Sequence, residues 1–212
     1  EKYSDFIEKL EASFSDPSVV LNPLSELEKH QDEYIYFRTG NSWTMRGAFY
    51  GAQVIFGELG YDKENLDAYR EYVFGNFKGN LLLEALGKYT TDEIKKGIEN
   101  MEEEPFYIYI NGSNPNREEL TFENKEGQLQ TLKRQTIQFN GSGNYAVIGS
   151  SYKHSIVEGR GKGQRKGNLL LIADTRGKMM ISYLSEIFEK VYVSNMYEDA
   201  DLIPVSYTHL RA

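Results

Sequence analysis

The chain has 212 residues, enough for one domain whose core needs no staples. A net charge of −8 argues against a nucleic-acid partner, because binding phosphates needs clustered Lys and Arg. The absence of cysteine excludes disulfides, thiol catalysis and thiolate metal sites; His30, His154 and His209 are too scattered for zinc, so neither metal nor cofactor is expected.

From the N-terminus, Tyr3, Phe6, Ile7, Leu10 and Phe14 recur at helical spacing, and Pro17 ends that helix. Val19 to Leu21 reads as a strand or extended run, and Pro23, Leu24 and Leu27 as one or two helical turns. Tyr34-Ile35-Tyr36-Phe37 alternates aromatic and β-branched side chains, which predicts a strand. Thr39, Asn41, Ser42 and Thr44 follow as helix caps, with Trp43, the chain's only tryptophan, among them. A strand that ends in a polar turn and opens a helix is where α/β folds place their chemistry. Met45, Ala48, Phe49, Ala52, Ile55, Phe56 and Leu59 then form the clearest helical stripe, closed by Gly60. Gly47, Gly51 and Gly57 inside it suggest close approach of another backbone.

Leu66, Tyr69, Tyr72 and Val73 suggest a further helix over 62–74. Phe77 to Leu81 reads as a turn into a short apolar segment, and Thr91-Asp92 as the cap of a helix that Pro105 stops. Phe106 to Ile110, Leu120 to Phe122 and Leu129 to Phe139 read as strands, so residues 105–140 form an antiparallel β excursion between two α/β portions. Arg160 to Lys166 is a basic run broken by Gly161 and Gly163 and reads as a solvated loop. Leu169 to Ala173 is continuously apolar, as a strand in the middle of a parallel sheet would be. Asp174-Thr175-Arg176-Gly177 turns into a helix with Met179, Met180, Tyr183, Leu184, Ile187 and Phe188 on one side. Val191 to Val193 completes a βαβ unit. Val205 to Ala212 fits no element and reads, with His209, as a non-native tail.

Two strand ends therefore carry candidate chemistry: 39–44 and Asp174-Thr175. A hydroxyl at a strand-to-helix turn has the geometry of a nucleophile elbow, which needs a base held by a carboxylate. Asp174 reads equally as an acidic site residue or as a helix N-cap. His154 reads as a relocated base or as an ordinary loop histidine, and His30 as part of a solvated, charged helix end. Trp43 and the 16 tyrosines either line a groove that stacks on sugar rings or fill the core. No apolar run approaches the roughly 18 residues of a membrane span. Membrane association is expected only through a segment missing from this chain, whose start at Glu1 leaves room for a removed export signal.

The pattern Tyr36-Phe37-Arg38-Thr39, then Trp43-Thr44, then Gly47-Ala48-Phe49-Tyr50 resembles the signature of the DHHW family. The second matching block is Leu169 to Ala173, Asp174-Thr175, Tyr183-Leu184 and Phe188 to Val193; Phe77 to Leu81 and Tyr145 to Val157 are weaker matches. The family is related to SGNH hydrolases and to acetyltransferase-like proteins of polysaccharide modification. The resemblance implies a three-layer α/β sandwich with a largely parallel sheet, here with the small antiparallel insertion, in one domain over 1–204 truncated at its C-terminus. It also implies an extracellular or cell-surface location and a carbohydrate ligand at Gly40, Asn41, Ser42 and Trp43. Where the family pattern implies an orienting Asp, this chain has Gly40; where it implies the imidazole base, Ser42; where it implies the Ser nucleophile, Thr175. Only Trp43 and Asp174 match. A serine cannot take a proton at neutral pH, and losing single triad members costs roughly 10⁴ to 10⁶ in rate. The expectation is a catalytically degenerate domain associated with cell-envelope polysaccharide. The alternatives are an active esterase or O-acetyltransferase using Thr175 with His154 or another relocated base, and a non-catalytic scaffold.

Overall fold

The computed structural model describes residues 3–16, 20–88, 91–111, 119–123, 129–133, 137–139, 145–147, 154–158 and 167–195. The basic run at 160–166 and the tail at 205–212 lie outside the described residues. The helices are α1 (Tyr3–Ala12), α2 (Leu24–Glu28), α3 (Met45–Glu58), α4 (Asn80–Lys88), α5 (Asp92–Glu99), α6 (Thr175–Lys178) and α7 (Ile181–Ile187). The strands are β1 (Tyr69–Phe77), β2 (Glu104–Asn111), β3 (Glu119–Glu123), β4 (Leu129–Lys133), β5 (Ile137–Phe139), β6 (Tyr145–Val147), β7 (His154–Glu158), β8 (Asn168–Ala173) and β9 (Lys190–Asn195).

The stripe read at 45–59 does build a helix. Thr44 caps α3, its hydroxyl oxygen accepting from Gly47 N at 3.3 Å, and Gly60 follows the helix at φ +72°, a backbone that glycine tolerates. Met45, Ala48, Phe49, Ala52 and Phe56 are buried, and Phe49 meets Tyr69 and Tyr183 edge-on with ring centres 5.5 and 5.3 Å away. The Tyr183 hydroxyl donates to the Met45 carbonyl at 2.9 Å, which ties α7 to the start of α3. Burial of Ile181, Leu184, Val157, Val191 and Val193 continues this core onto β7 and β9. Truncating such a ring to alanine removes about 3–5 kcal/mol.

The largely parallel three-layer sandwich is not what the chain forms. Described strands make one five-stranded sheet in the order β4-β3-β7-β9-β8 and two two-stranded sheets, β1-β2 and β5-β6. Only β8 and β9 run parallel; every other strand pairing described is antiparallel. A parallel pair needs a long crossover, and only the α6–α7 connection supplies one between neighbouring strands. The antiparallel strands are also no insertion: β3 pairs with β7 and β7 with β9, so they extend the sheet that holds the βαβ unit. Among the described residues β8 has β9 as its only neighbour, and Ile172 on it is half exposed. The apolar run at 169–173 thus marks an edge of the described sheet, not its middle.

Two further expectations change. The segment read as a helix over 62–74 is a 3-10 turn (Leu66–Ala68) followed by β1, because Tyr69, Tyr72 and Val73 pair with β2 from Asn111 back to Tyr107. The apolar segment after Lys78 is the helix α4.

Candidate functional site

Residues 34–44 form no regular strand. A single bridge joins Tyr36 to Trp43, where Phe37 N donates to Ser42 O at 3.1 Å, and Thr44 N donates to Ile35 O at 2.8 Å. The segment therefore folds back on itself as a tight loop. Its outer amides are collected by one side chain far along the chain. Glu104, the first residue of β2 and 5% exposed, accepts from Arg38 N on Oε2 and from Thr39 N on Oε1, both at 2.8 Å. The Tyr34 and Thr39 hydroxyls also donate to it. Burial alone raises a carboxyl pKa, but these four donors outweigh it and hold Glu104 below the ordinary carboxylate range. Burial, and then the Glu104 carboxylate beside it, push the Tyr34 phenol far up.

The turn before α4 closes the other side. Thr39 Oγ1 accepts from Gly79 N at 2.8 Å, and Thr39 O accepts from Leu81 N at 3.1 Å. A Cβ at position 79 would lie 2.2 Å from the Thr39 carbonyl oxygen, so only glycine lets these backbones meet. The same argument holds in α3, where a Cβ on Gly47 would lie 2.4 Å from Ile35 O. One on Gly51 would press on the Trp43 indole at 3.1 Å, and the indole rests there on bare helix backbone.

This seat aims Trp43 at the second turn. Its Nε1 donates to Arg176 O at 2.9 Å, and Arg176 Nε donates back to Asn41 O at 3.1 Å. The structure thus brings Asn41, Ser42 and Trp43 together with Asp174, Thr175 and Arg176, across more than 130 residues of sequence. Asp174 caps α6: Oδ1 accepts from Gly177 N at 2.9 Å, and Oδ2 lies 3.3 Å from Arg176 Nη1. Thr175 is exposed, and its hydroxyl makes no hydrogen bond among the described residues. Ser42 is buried, Gly40 half-buried and Asn41 exposed. His154 opens β7; its backbone pairs with Ser194 and, through Ser194, with Ile172. That register puts position 154 two strands from β8 at the end of the sheet where Asp174 emerges, roughly 10 Å away at the usual strand spacing.

Sequence reasoning missed Glu104, Gly79 and Arg176. The signal that could have singled out Glu104 is its place just before Pro105, at the start of the aromatic strand. Arg176 lay inside the second turn and was passed over in favour of its neighbours.

The DHHW protein family model matches residues 22–194, which include both turns and run from before α2 to the penultimate residue of β9. The chain belongs to the DHHW family. This DHHW chain is similar to a crystal structure of a DHHW family protein from Eubacterium siraeum DSM 15702, with a TM-score of 0.63 and 21% identity. The match covers 82% of this chain and 55% of that one. It is also similar to Bacillus cereus PatB1 with a sulfonyl adduct (TM-score 0.56, 16% identity, 82% of this chain and 55% of that one). A second PatB1 structure gives 0.56 and 14%, over 85% and 60% of the two chains. At these identities the likeness is one of fold, and the chain spans between half and two thirds of the length of the structures it matches. Comparison with curated proteins gives no match. Among the described residues the DHHW chain has no cluster of His, Asp or Glu that could hold a metal, and no helix long and apolar enough to cross a membrane.

Proposed function

We propose that this DHHW domain keeps its paired turns as a ligand-binding surface and no longer carries out ester chemistry. The observation that supports this most directly is how the Asp174 carboxylate at the junction is used. Both Asp174 oxygens are engaged, one by the amide it caps and one by Arg176, which is the use of a helix cap. Ser42 and Gly40 occupy the positions where a base and its orienting acid would stand, and neither side chain can move a proton at neutral pH. Asn41, Thr175 and Arg176 remain exposed around a fixed indole, and that set of donors and acceptors suits the hydroxyls of a cell-envelope polysaccharide.

One observation favours a second reading, in which Thr175 acts as the nucleophile of an esterase or O-acetyltransferase with His154 as its base. The register places position 154 at the same end of the sheet as the Thr175 turn. A single experiment separates the two. The purified protein is treated with a sulfonyl fluoride and, separately, with an acetylated ester, alongside Thr175→Ala and His154→Ala. The preferred reading expects no adduct on Thr175 and hydrolysis that is the same in all three proteins. Labelling or turnover that disappears in both variants overturns it.

A further inference from the structure

The segment that leads from α3 to β1 reaches the interior at few points. Of residues 62–68, all but Glu64 and Leu66 are exposed. Lys63 lies 3.5 Å from Glu26, but half of its side chain is in water, where such a pair holds little. Glu64 reaches inward. Its amide donates to Gln53 Oε1 on α3 at 2.7 Å, and its Oε2 takes a hydrogen bond from the Tyr69 hydroxyl. The same hydroxyl meets a second carboxyl group. Glu186 Oε2, on α7, lies 2.7 Å from Tyr69 Oη and 3.3 Å from Asn111 Nδ2.

A phenol carries one proton and cannot donate to two carboxylates. With both glutamates ionised, one of them would face the lone pairs of the phenol oxygen. The arrangement therefore closes only when a carboxyl group brings a proton of its own, and Glu186 is placed to bring it. Its Oε1 is buried without a donor, which is costly for an ionised oxygen and far less so for the carbonyl of a neutral acid. Burial raises its pKa to about 7, against the Tyr69 hydrogen bond and with help from the Glu64 carboxylate.

The surroundings of Glu186 offer no counter-charge. Glu64 faces it from the loop, Tyr69 from β1, Asn111 from β2 and Tyr183 from its own helix, and Arg46 acts on Tyr183 rather than on Glu186. From α3, β7 and β9, which also pack on α7, come the apolar Phe49, Val157, Val191 and Val193. Among the described residues no cation contacts Glu186.

We infer that Glu64, Tyr69 and Glu186 form a proton-held latch: a carboxyl proton donated by Glu186 to Tyr69 Oη leaves Tyr69 free to donate to Glu64, which fastens residues 62–68 to β1 and α7, and loss of that proton releases them. Once it leaves, two carboxylates compete for one phenol proton at close range. Glu64 stands on the exposed segment and can swing into water, whereas Glu186 is fixed on α7 beside the buried Leu184 and Ser185. Because the folded pKa of Glu186 lies above its unfolded value, the latch is closed in acid and opens as pH rises through about 7. It does not depend on the reading given for the paired turns.

The test is backbone amide exchange in the purified chain, followed by NMR from pH 5.5 to 8.5 and corrected for the intrinsic pH dependence, with a carbon-13 titration of the glutamate carboxyl groups alongside. Expected is one carboxyl group that titrates between about pH 6 and 8 and is missing from Glu186→Gln. The Glu64 amide should lose protection by about tenfold or more over that range in the parent and keep it in Glu186→Gln. The carboxyl titration is read on the parent alone, so it decides even where the variant folds poorly. The inference is overturned if no glutamate titrates above pH 6, if the Glu64 amide is equally protected at both ends, or if folded Glu186→Gln loses that protection as the parent does. It is also overturned if the buried Ala52 amide of α3 loses as much, which would report opening of the whole fold.

Discussion

Replacing Glu104 by Gln tests whether one carboxylate shapes the first turn. The parent side chain receives two backbone amides and two hydroxyls, one of each on either oxygen. In Gln one oxygen becomes an NH2 group, which faces an amide and a hydroxyl whichever way the side chain lies. A hydroxyl can rotate and accept; a backbone N–H cannot. One buried amide, of Arg38 or Thr39, is left without an acceptor at a cost of about 1–3 kcal/mol, and the surviving bonds lose their charge assistance. The expected loss is about 2–4 kcal/mol at pH 7, read by urea denaturation of parent and Glu104→Gln. The pH dependence gives a second check. Because the folded Glu104 pKa lies below its unfolded value of about 4.5, its contribution is complete above that pH and is lost as pH falls through the folded value. The difference between the two proteins should therefore shrink in acid. A gap under about 0.5 kcal/mol at pH 7, or one that stays constant down to pH 3, would refute the reasoning.

Glu186 should show the opposite trend. Burial, opposed by the Tyr69 hydrogen bond and assisted by nearby Glu64, pushes its pKa up to about 7. Its folded pKa lies above the unfolded one, so stability is full below pH 4.5 and falls by up to about 3 kcal/mol as pH rises through 7. Glu186→Gln should remove that decline, making the variant the more stable protein at pH 8 when urea midpoints are compared at pH 5 and 8. Gly79→Ala should lower stability by about 1–3 kcal/mol in thermal unfolding, because the new methyl meets the Thr39 carbonyl. Arg176→Ala should change stability by less than about 1 kcal/mol, since its side chain is largely solvated. It should nonetheless red-shift Trp43 emission as the link to Asn41 is lost; an unchanged spectrum would count against coupling between the turns.

What could be read in the sequence was local. The α3 stripe with its Gly60 stop, the aromatic strand at β2 and the strand–helix–strand unit from 168 to 195 each carry their signal within about 15 residues. Where the deciding partner is remote, the reading failed. Tyr69, Tyr72 and Val73 have spacings that suit a helix, yet a strand more than 30 residues downstream claims their backbones. The 34–39 segment has the composition of a strand but enters no sheet, because Glu104 supplies acceptors 65 residues away. Leu169 to Ala173 is apolar on both faces, which sequence equates with a central position, although β8 borders the described sheet. For the site, the second turn was legible as a strand end and the first as a cap-rich run opening α3 with Trp43 in it, although no strand precedes it. The contact between them, made through the Arg176 guanidinium and backbone carbonyl, was not.

The described contacts that hold the turns run through a few side chains and stretches of bare backbone. Glu104 and Gly79 fix Thr39, the bare backbone at Gly47 and Gly51 seats Trp43, and Trp43 with Arg176 joins one turn to the other. None of these contacts uses the side chains of Gly40, Ser42 or Thr175. Substitution at Glu104 or Gly79 therefore strikes the frame directly. The frame that joins the two turns thus rests on Glu104, Gly79, Trp43 and Arg176, all of them inside the family match over 22–194.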